Sequence, residues 1–128
     1  MTNNIQKIEG GATVVACFNT LGDLNSSTNT WYRLYSDNWC EQGGWVTEAG
    51  TAPNTYSLPL KMQTIRYDLL LSGSRGASIK DSTIVAISPV GTRTKTSFDA
   101  YCTYITLSTI SYGNFSFCWA AFGVAELD

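Results

Sequence analysis

Two carboxylates, Asp37 and Glu41, stand close together in the chain, and acid–base catalysis is the first chemistry to test. Glycosidases use such a pair, but they need the two groups at a defined separation across a sugar. Asp37 is better explained as a turn residue that bonds the local backbone. Glu41 and Gln42 fit a polar pair that satisfies hydrogen bonds within a hairpin or between subunits. Because the chain has no histidine, neither a Ser-His-Asp nor a Cys-His arrangement can form, and we expect no catalytic residues and no enzyme activity.

Metal and anion sites are also poorly supported. Without histidine and without Cys-x-x-Cys spacing, the usual zinc patterns are absent. The segment 73–76 has the glycines of an anion nest but not the Walker spacing, its lysine or a following helix. Asp23, Asn25 and Asp81 could offer oxygens to Ca²⁺, but no EF-hand spacing occurs. We expect no metal and no cofactor, and in a reducing cytoplasm we favour buried free thiols over disulfides at Cys17, Cys40, Cys102 and Cys118.

Aromatic side chains could instead stack on the apolar face of a sugar, with amides or charged groups bound to its hydroxyls. Trp119 is interpreted as a core residue, and most of the other aromatics as core or subunit contacts. Tyr112 is the best exposed candidate, because the Gly-Asn pair beside it predicts a turn. The full candidate set is Trp31, Trp39, Trp45, Tyr56, Tyr101, Tyr104 and Tyr112.

The composition predicts an all-β domain. The 128 residues carry a formal charge of −2, and only 14% are charged, against roughly 25% in typical soluble domains. Serine (13), threonine (16) and aromatic residues (16) are abundant, and the last two groups favour pleated strands. There is no convincing helical periodicity, no apolar run near the ~18 residues of a membrane span, and no basic footprint for nucleic acid. No secretory signal opens the chain, so we expect synthesis in the cytoplasm and no membrane insertion.

Alternating and apolar runs place the strands. We predict strands at 12–18, 31–36, from 39 onward, 56–60, 65–71, 83–88, 98–107 and 115–124, the last covered on both faces because it is almost continuously apolar. The segment 92–97 alternates hydroxyls with cations, as in an exposed ribbon. Residues 1–11 form a lead-in segment and 12–128 a single domain, an antiparallel β-sandwich or barrel.

The run from Trp31 to Gly44 predicts a tight β-hairpin. Asp37 and Asn38 form a two-residue loop whose central positions need positive φ, which Asn and Asp tolerate best after Gly. The pair Gly43 and Gly44 then predicts a bend or bulge in the second strand.

The same run resembles the W-Y-R-x-Y-S-D-G-W-x-E-Q-G-G signature of C-terminal domains in bacteriophage and prophage tail fibres. Its matching positions are Trp31, Tyr32, Arg33, Asp37, Asn38, Trp39, Glu41, Gln42, Gly43 and Gly44, with Asn38 where the signature usually has glycine. The closing segment F-x-F-x-W-A-A-x-G, here 115–123, is similar to the last strand of tail-fibre tips. More loosely, residues 54–125 resemble H-type lectins, which are small trimeric β-sandwiches that bind sugars.

The tail-fibre resemblance implies a homotrimeric β-sandwich at the distal end of a fibre, a virion component that adheres to a bacterial surface glycan or protein. Loops that cap one end of such a domain would carry the receptor site. The candidate receptor-binding residues are Arg75, Arg93, Lys95, Tyr112 and Asn114. Two other functions remain open: a free-standing H-type-like lectin, and a purely structural trimerisation domain that binds nothing.

Overall fold

A computed structural model describes residues 11–23, 28–47, 53–73, 84–105, 110–112 and 116–127, and these residues form nine antiparallel strands. Five strands form one sheet in the order β1-β2-β3-β9-β5. Four form the other, in the order β4-β7-β6 with β8 also paired to β7. The described residues contain no helix, and the predicted antiparallel β-sandwich is confirmed. The strands are β1 Val14–Asn19, β2 Thr28–Tyr35, β3 Trp39–Val46, β4 Asn54–Ser57, β5 Asp68–Gly73, β6 Ile84–Val90, β7 Ser97–Ile105, β8 Ile110–Tyr112 and β9 Phe117–Val124.

The core lies between the two sheets and follows from the period-2 pattern of the strands. In β7 the alternating residues Phe98, Ala100 and Cys102 are fully buried, as their spacing predicts. Phe98 packs edge-on against Trp119 of β9, with ring centroids 5.1 Å apart. Trp119 is 4% exposed, which confirms its interpretation as a core residue. The two sheets are thus held together by aromatic contacts across their inner faces.

Strand β9 differs from its prediction. Its apolar run was expected to be covered on both faces, yet Cys118 and Val124 are exposed. Its central position in the five-stranded sheet satisfies its backbone on both edges, but within one chain only the face that carries Phe117 and Trp119 is buried. Burial within one chain therefore does not account for the apolar residues on the outer face of β9.

Several other predicted elements have different bounds, among them the strand expected at 56–60, which is Asn54–Ser57, and two differ for a clear reason. The one expected at 65–71 begins only at Asp68, because the preceding residues cross the end of the sandwich: Met62 bridges to Ala125, and the Gln63 amide donates to the Val124 carbonyl. The segment 92–96 is a loop and not a ribbon. It is fastened to the same crossing by the Met62 amide, which donates to the Lys95 carbonyl at 2.8 Å.

The hairpin between β2 and β3 has a three-residue loop, 36–38, and not the predicted two-residue loop. The Asn38 amide donates to the Tyr35 carbonyl at 2.9 Å, and the Trp39 amide donates to Asp37 Oδ1 at 3.0 Å. Among the non-glycine residues described, Asn38 alone has positive φ, at 67°. A turn followed by one left-handed residue is the usual three-residue hairpin connection, so Asp37 needs no positive φ. The role of Asp37 as a turn residue that bonds local backbone is confirmed.

The predicted bulge at Gly43 and Gly44 is wrong. The register of β3 with both neighbours is unbroken, and the irregularity in this sheet lies in β1, between Val14 and Ala16. The glycines are needed for space. A Cβ on Gly43 would lie 2.7 Å from the indole of Trp31, and one on Gly44 would lie 2.6 Å from Nε1 of Trp119. Each glycine therefore admits one indole, and the two indoles lie on opposite faces of the sheet.

Gln42 joins the hairpin to the sandwich interior. Its side chain is fully buried, its Nε2 donates to the Leu60 carbonyl at 2.9 Å, and its Oε1 accepts from the Leu60 amide at 2.8 Å. Of the two residues in the predicted Glu41–Gln42 pair, Gln42 makes the buried hydrogen bonds, and it makes them to the segment after β4. Glu41 lies on the other side of β3, where the Tyr35 hydroxyl donates to it at 3.4 Å.

The thiols divide into two classes. Cys40 and Cys102 are buried, as predicted, but Cys17 and Cys118 are exposed on the single chain. The expectation that all four thiols are buried is therefore wrong for the single chain. All four are free. Burial, and to a lesser degree the neighbouring Glu41 carboxylate, raises the pKa of Cys40 to about 11, so this thiol stays protonated.

Candidate functional site

The outer face of the five-stranded sheet carries side chains that a solvent-facing surface rarely has. Residues directly opposite each other in a ladder share a face, so Trp31 and Arg33 of β2 lie beside Gly43 and Glu41 of β3. The same alternation brings Trp39 and Trp45 to this side, together with residues of β1, β5 and β9. We call this surface the tryptophan face; its members are Cys17, Trp31, Arg33, Trp39, Glu41, Trp45, Leu70, Cys118, Phe122 and Val124.

Trp31 is the centre of this face. Its indole lies over Gly43, and a shallow depression opens on each side of it. One, of about 480 Å³, includes Arg33 and Glu41 among its lining residues, and the other, of about 390 Å³, includes Trp45 and Leu70. The first depression therefore combines an aromatic ring with both signs of charge, whereas the second is mainly apolar.

The two charges at the first depression have little to bind within the chain. Arg33 and Glu41 are directly opposite in the β2–β3 ladder, but no ion pair joins them among the described contacts. The bond from the Tyr35 hydroxyl to Glu41 is long, at 3.4 Å. Both groups therefore keep hydrogen-bonding capacity for an external partner.

The outer face of the other sheet is more polar around β4 and the first half of β7. Thr55 donates to Asp99 Oδ1 at 2.6 Å across these two strands. Serines, threonines and a tyrosine occupy several outward positions nearby, alongside the apolar residues Val90 and Ile105. Among its described residues the one large apolar side chain counted as exposed is Ile110, in the edge strand β8. We call this surface the hydroxyl face; its members are Thr55, Ser57, Ser88, Asp99, Tyr101 and Thr103.

The sequence-predicted receptor residue Arg93 lies in the loop after β6 and is half-buried. Its guanidinium donates to the Tyr67 carbonyl at 2.6 Å and lies over the Tyr67 ring, 5.1 Å from the centroid. The Tyr67 hydroxyl in turn donates toward the Thr94 and Ser97 carbonyls, at 3.0 and 3.2 Å. Burial raises the pKa of Tyr67, and the nearby Arg93 charge opposes that shift. Arg93 thus fastens the loop to the segment before β5.

Lys95, another predicted receptor residue, is also engaged. Its ammonium donates to Glu126 Oε2 at 3.0 Å, and Lys61 lies 3.5 Å from the other oxygen of the same carboxylate. The hydrogen bond from Lys95 holds the pKa of Glu126 below its usual value, with help from both lysine charges. This exposed cluster ties the loop to the chain segment after β9.

The remaining predicted residues cannot be placed in the same way. Arg75 and Asn114 lie outside the described residues. Tyr112 pairs with Thr103 in the ladder between β7 and β8, and its side chain lies outside the described residues. The other end of β7, at Ser97, adjoins the loop with Arg93 and Lys95. The topology therefore places Tyr112 and the Arg93 loop toward opposite ends of β7, and they do not form one site.

Comparison with known proteins identifies the fold. No family model matches the chain, and no curated protein matches it. Among solved structures, the chain is similar to an N-truncated R2-type pyocin tail fiber, with a TM-score of 0.50 and 19% sequence identity. The similarity covers 87% of this chain. This chain has the fold of the matching part of that tail fiber.

The tail-fibre fold confirms the resemblance read from the hairpin and the closing strand, at the level of architecture. The chain spans 39% of the length of the tail fiber that it matches. In this fold the signature residues have clear structural roles: Asn38 makes the turn, Gln42 fastens β3, and Gly43 and Gly44 admit two indoles.

Within the described ranges, no group of three or more Cys, Asp or Glu residues gathers as a metal site would require. No helix among those residues is long and apolar enough to cross a membrane. The predictions of no metal, no cofactor and no catalytic residue stay predictions.

Sequence reasoning missed the tryptophan face as a single surface. The signal was present: Trp39, Glu41, Gly43 and Trp45 alternate along β3, and Trp31, Arg33 and Tyr35 alternate along β2. Combined with the hairpin register, that period of two would have gathered the tryptophans on one side. The contributions of Leu70 and Cys118 could not be found this way, because they depend on which strands become neighbours of β9 and β3.

Proposed function

We propose that this chain is the distal domain of a phage or prophage tail fibre, that it assembles as a homotrimer, and that it adheres to a bacterial surface receptor, which we expect to be a glycan. The observation that carries the proposal is the tail-fibre fold across 87% of the chain. On this proposal the protein is a virion component that binds without catalysis.

The β8 end of the sandwich is the better place for the receptor site. Arg93 and Lys95, at the other end, already bind Tyr67 and Glu126. Tyr112 lies in a short edge strand, and loops on a rigid scaffold tolerate the variation that receptor choice demands. A sugar bound by one such loop would be held weakly, and three copies on one tip would raise avidity by roughly 10²-fold.

Adsorption to bacteria tests the proposal. Labelled protein should bind some strains of a panel, and removal of the surface polysaccharide should abolish binding. Tyr112→Ala should lose adsorption while its oligomeric mass and melting temperature stay unchanged. Arg93→Ala, as the matched variant at the opposite end, should lower the melting temperature because it frees the Tyr67 carbonyl.

The alternatives give different results. A trimer that binds no strain and no glycan on an array would favour a purely structural trimerisation domain. Binding to glycans that bacteria lack would favour the H-type-like lectin. If Tyr112→Ala adsorbs normally, the receptor site lies elsewhere on the domain.

A further inference from the structure

We infer that the tryptophan face is the surface through which one copy of this chain contacts the next. This inference rests on the proposed homotrimer, and it adds which of the two outer faces is covered and which residues meet there.

The apolar area supports a protein partner. Six large apolar side chains on or beside this face are 37–62% exposed: Trp45, Trp39, Val124, Leu21, Val14 and Leu70. At those exposures they leave roughly 500 Å² of apolar surface in water, near the upper end for the largest patch of a monomer. A standard interface buries about 800 Å² per partner and is rich in tryptophan at its centre. The face is thus of the size and composition of an interface core.

The charges indicate that the partner is a second copy of the same chain. Arg33 and Glu41 lie side by side at the centre of the face, and no ion pair joins them within the chain. A copy of this chain brings both signs, so Arg33 of one copy can meet Glu41 of the next around a three-fold axis. A like-charged or neutral partner would leave one of these groups desolvated and unpaired, which is costly.

The thiols support the same surface. Cys17 lies directly opposite Arg33 in the β1–β2 ladder, and Cys118 directly opposite Trp45 in the β3–β9 ladder. Both are exposed on the single chain, whereas Cys40 and Cys102 are buried. Contact between copies across this face would cover both exposed thiols and would explain an almost continuously apolar β9.

The first test compares two single substitutions to glutamate. Leu70→Glu places a charge on the tryptophan face at a side chain that is 62% exposed, so the chain itself should fold normally. Ser57→Glu places the same charge on the exposed hydroxyl face. Light scattering should give a trimer for wild type and Ser57→Glu, and a dissociation constant raised at least roughly 30-fold for Leu70→Glu. A Leu70→Glu protein that stays as tightly trimeric as Ser57→Glu would overturn the inference.

The second test exchanges the charges. Arg33→Glu alone and Glu41→Arg alone should each weaken assembly by at least about tenfold, because like charges then meet between copies. In a mixed trimer two of the three contacts pair opposite charges and the third still brings like charges together. A mixture of the two variants should therefore assemble more tightly than either variant alone but less tightly than wild type, and the double variant should assemble like wild type. Because rescue by mixing requires contact between different chains, a mixture that stays as dissociated as the single variants would contradict the pairing.

Thiol protection separates this inference from the proposed function. In the native trimer Cys17 and Cys118 should react slowly with a thiol reagent, and in Leu70→Glu both should react quickly. If both thiols of a wild-type trimer react fully, the protein is a trimer but does not assemble through this face. A wild-type monomer that still adsorbs to bacteria would reject the trimer and this interface while adhesion stands. A monomer whose thiols are protected only by added polysaccharide would make the face a glycan site and would overturn the inference.

Discussion

The tryptophan face and the hydroxyl face are the two outer surfaces of one sandwich, yet they have different chemistry. The first exposes Trp39, Trp45 and Leu70, whereas the second presents Thr55 bonded to Asp99 and other hydroxyls. Both faces cover the same core, so core packing does not require tryptophan on one side and threonine on the other. The difference reflects what each face meets outside the chain: a large apolar patch is typical of an interaction surface, and a hydroxyl-rich face is stable in water.

The largest effect is expected at Gly43, on which Trp31 rests. In Gly43→Ala the new methyl would lie 2.5 Å from the Trp119 carbonyl oxygen and 2.7 Å from the Trp31 indole, so β3 and β9 must shift. We expect a loss of about 3 kcal/mol in the free energy of unfolding and a fall of roughly 10 °C in melting temperature.

Gly22→Ala is the matched control for that substitution, because a Cβ at Gly22 meets nothing within 4 Å. Calorimetry should find its melting temperature near that of wild type. If Gly43→Ala melts like Gly22→Ala, neither the Trp119 backbone nor the Trp31 indole constrains this position, and the tryptophan face is not built on this contact.

A pH-dependent effect is expected beneath the tryptophan face, at Cys40. Burial raises the pKa of this thiol from 9.0 to about 11, so folding favours its protonated form. The contribution of the protonated thiol to the free energy of unfolding is fully present below pH 9 and is lost as the pH rises toward 11. The total loss is up to roughly 2 kcal/mol. Urea unfolding at pH 8 and pH 11 measures it.

Cys40→Ala separates this thiol from other groups that titrate in the same range, the buried tyrosines included. Cys40→Ala should be less stable at pH 8 but should lose less stability on going to pH 11 than wild type does. Equal slopes in the two proteins would contradict the raised pKa.

A smaller effect distinguishes the turns that serve the two sheets. Asn38, in the hairpin of the tryptophan face, and Gly91, after β6 in the other sheet, both have left-handed φ, at 67° and 63°. Asn38→Val should cost about 1–2 kcal/mol, because a β-branched side chain resists this conformation, while Asn38→Gly should stay within about 0.5 kcal/mol of wild type. Gly91→Ala should cost about 1 kcal/mol, because alanine also resists the left-handed conformation. A Cβ at this position meets nothing within 4 Å, so no clash adds to that cost. An unchanged melting temperature in Asn38→Val would mean that the loop can rearrange.

The smallest effect is expected on the hydroxyl face. Thr55→Val removes the 2.6 Å bond to Asp99, but both groups are exposed and water replaces it. We expect a change within about 0.5 kcal/mol and no change in oligomeric mass. A marked loss of assembly in Thr55→Val would reverse the assignment of the two faces.

Several features were predictable because they depend on neighbours in sequence. The alternation of Phe98, Ala100 and Cys102 predicted the buried side of β7, and the aromatic run before Asp37 predicted the hairpin. The loop length was not predictable from residue types, since Asn38 suits both a two-residue and a three-residue connection. The role of Gly43 and Gly44 was predicted wrongly for a related reason. Each glycine leaves room for an indole from another strand, and no local sequence pattern indicates such a contact.

The receptor residues show the same limit. Arg93 and Lys95 looked exposed because they alternate with threonines, but the crossing segment before β5 and the segment after β9 supply Tyr67 and Glu126 as partners. Tyr112 remains a candidate on its position in an edge strand, and adsorption assays will decide its role.

By itself, the sequence determined the all-β class, the hairpin and the inner faces, because period-2 alternation and turn chemistry act between residues close in the chain. The tertiary structure decided which strands became neighbours, and with them the tryptophan face. Leu70 and Cys118 join Trp45 only because β9 is inserted between β3 and β5. Strand order depends on the total burial of two sheets against each other, a property of the whole chain that no local segment carries.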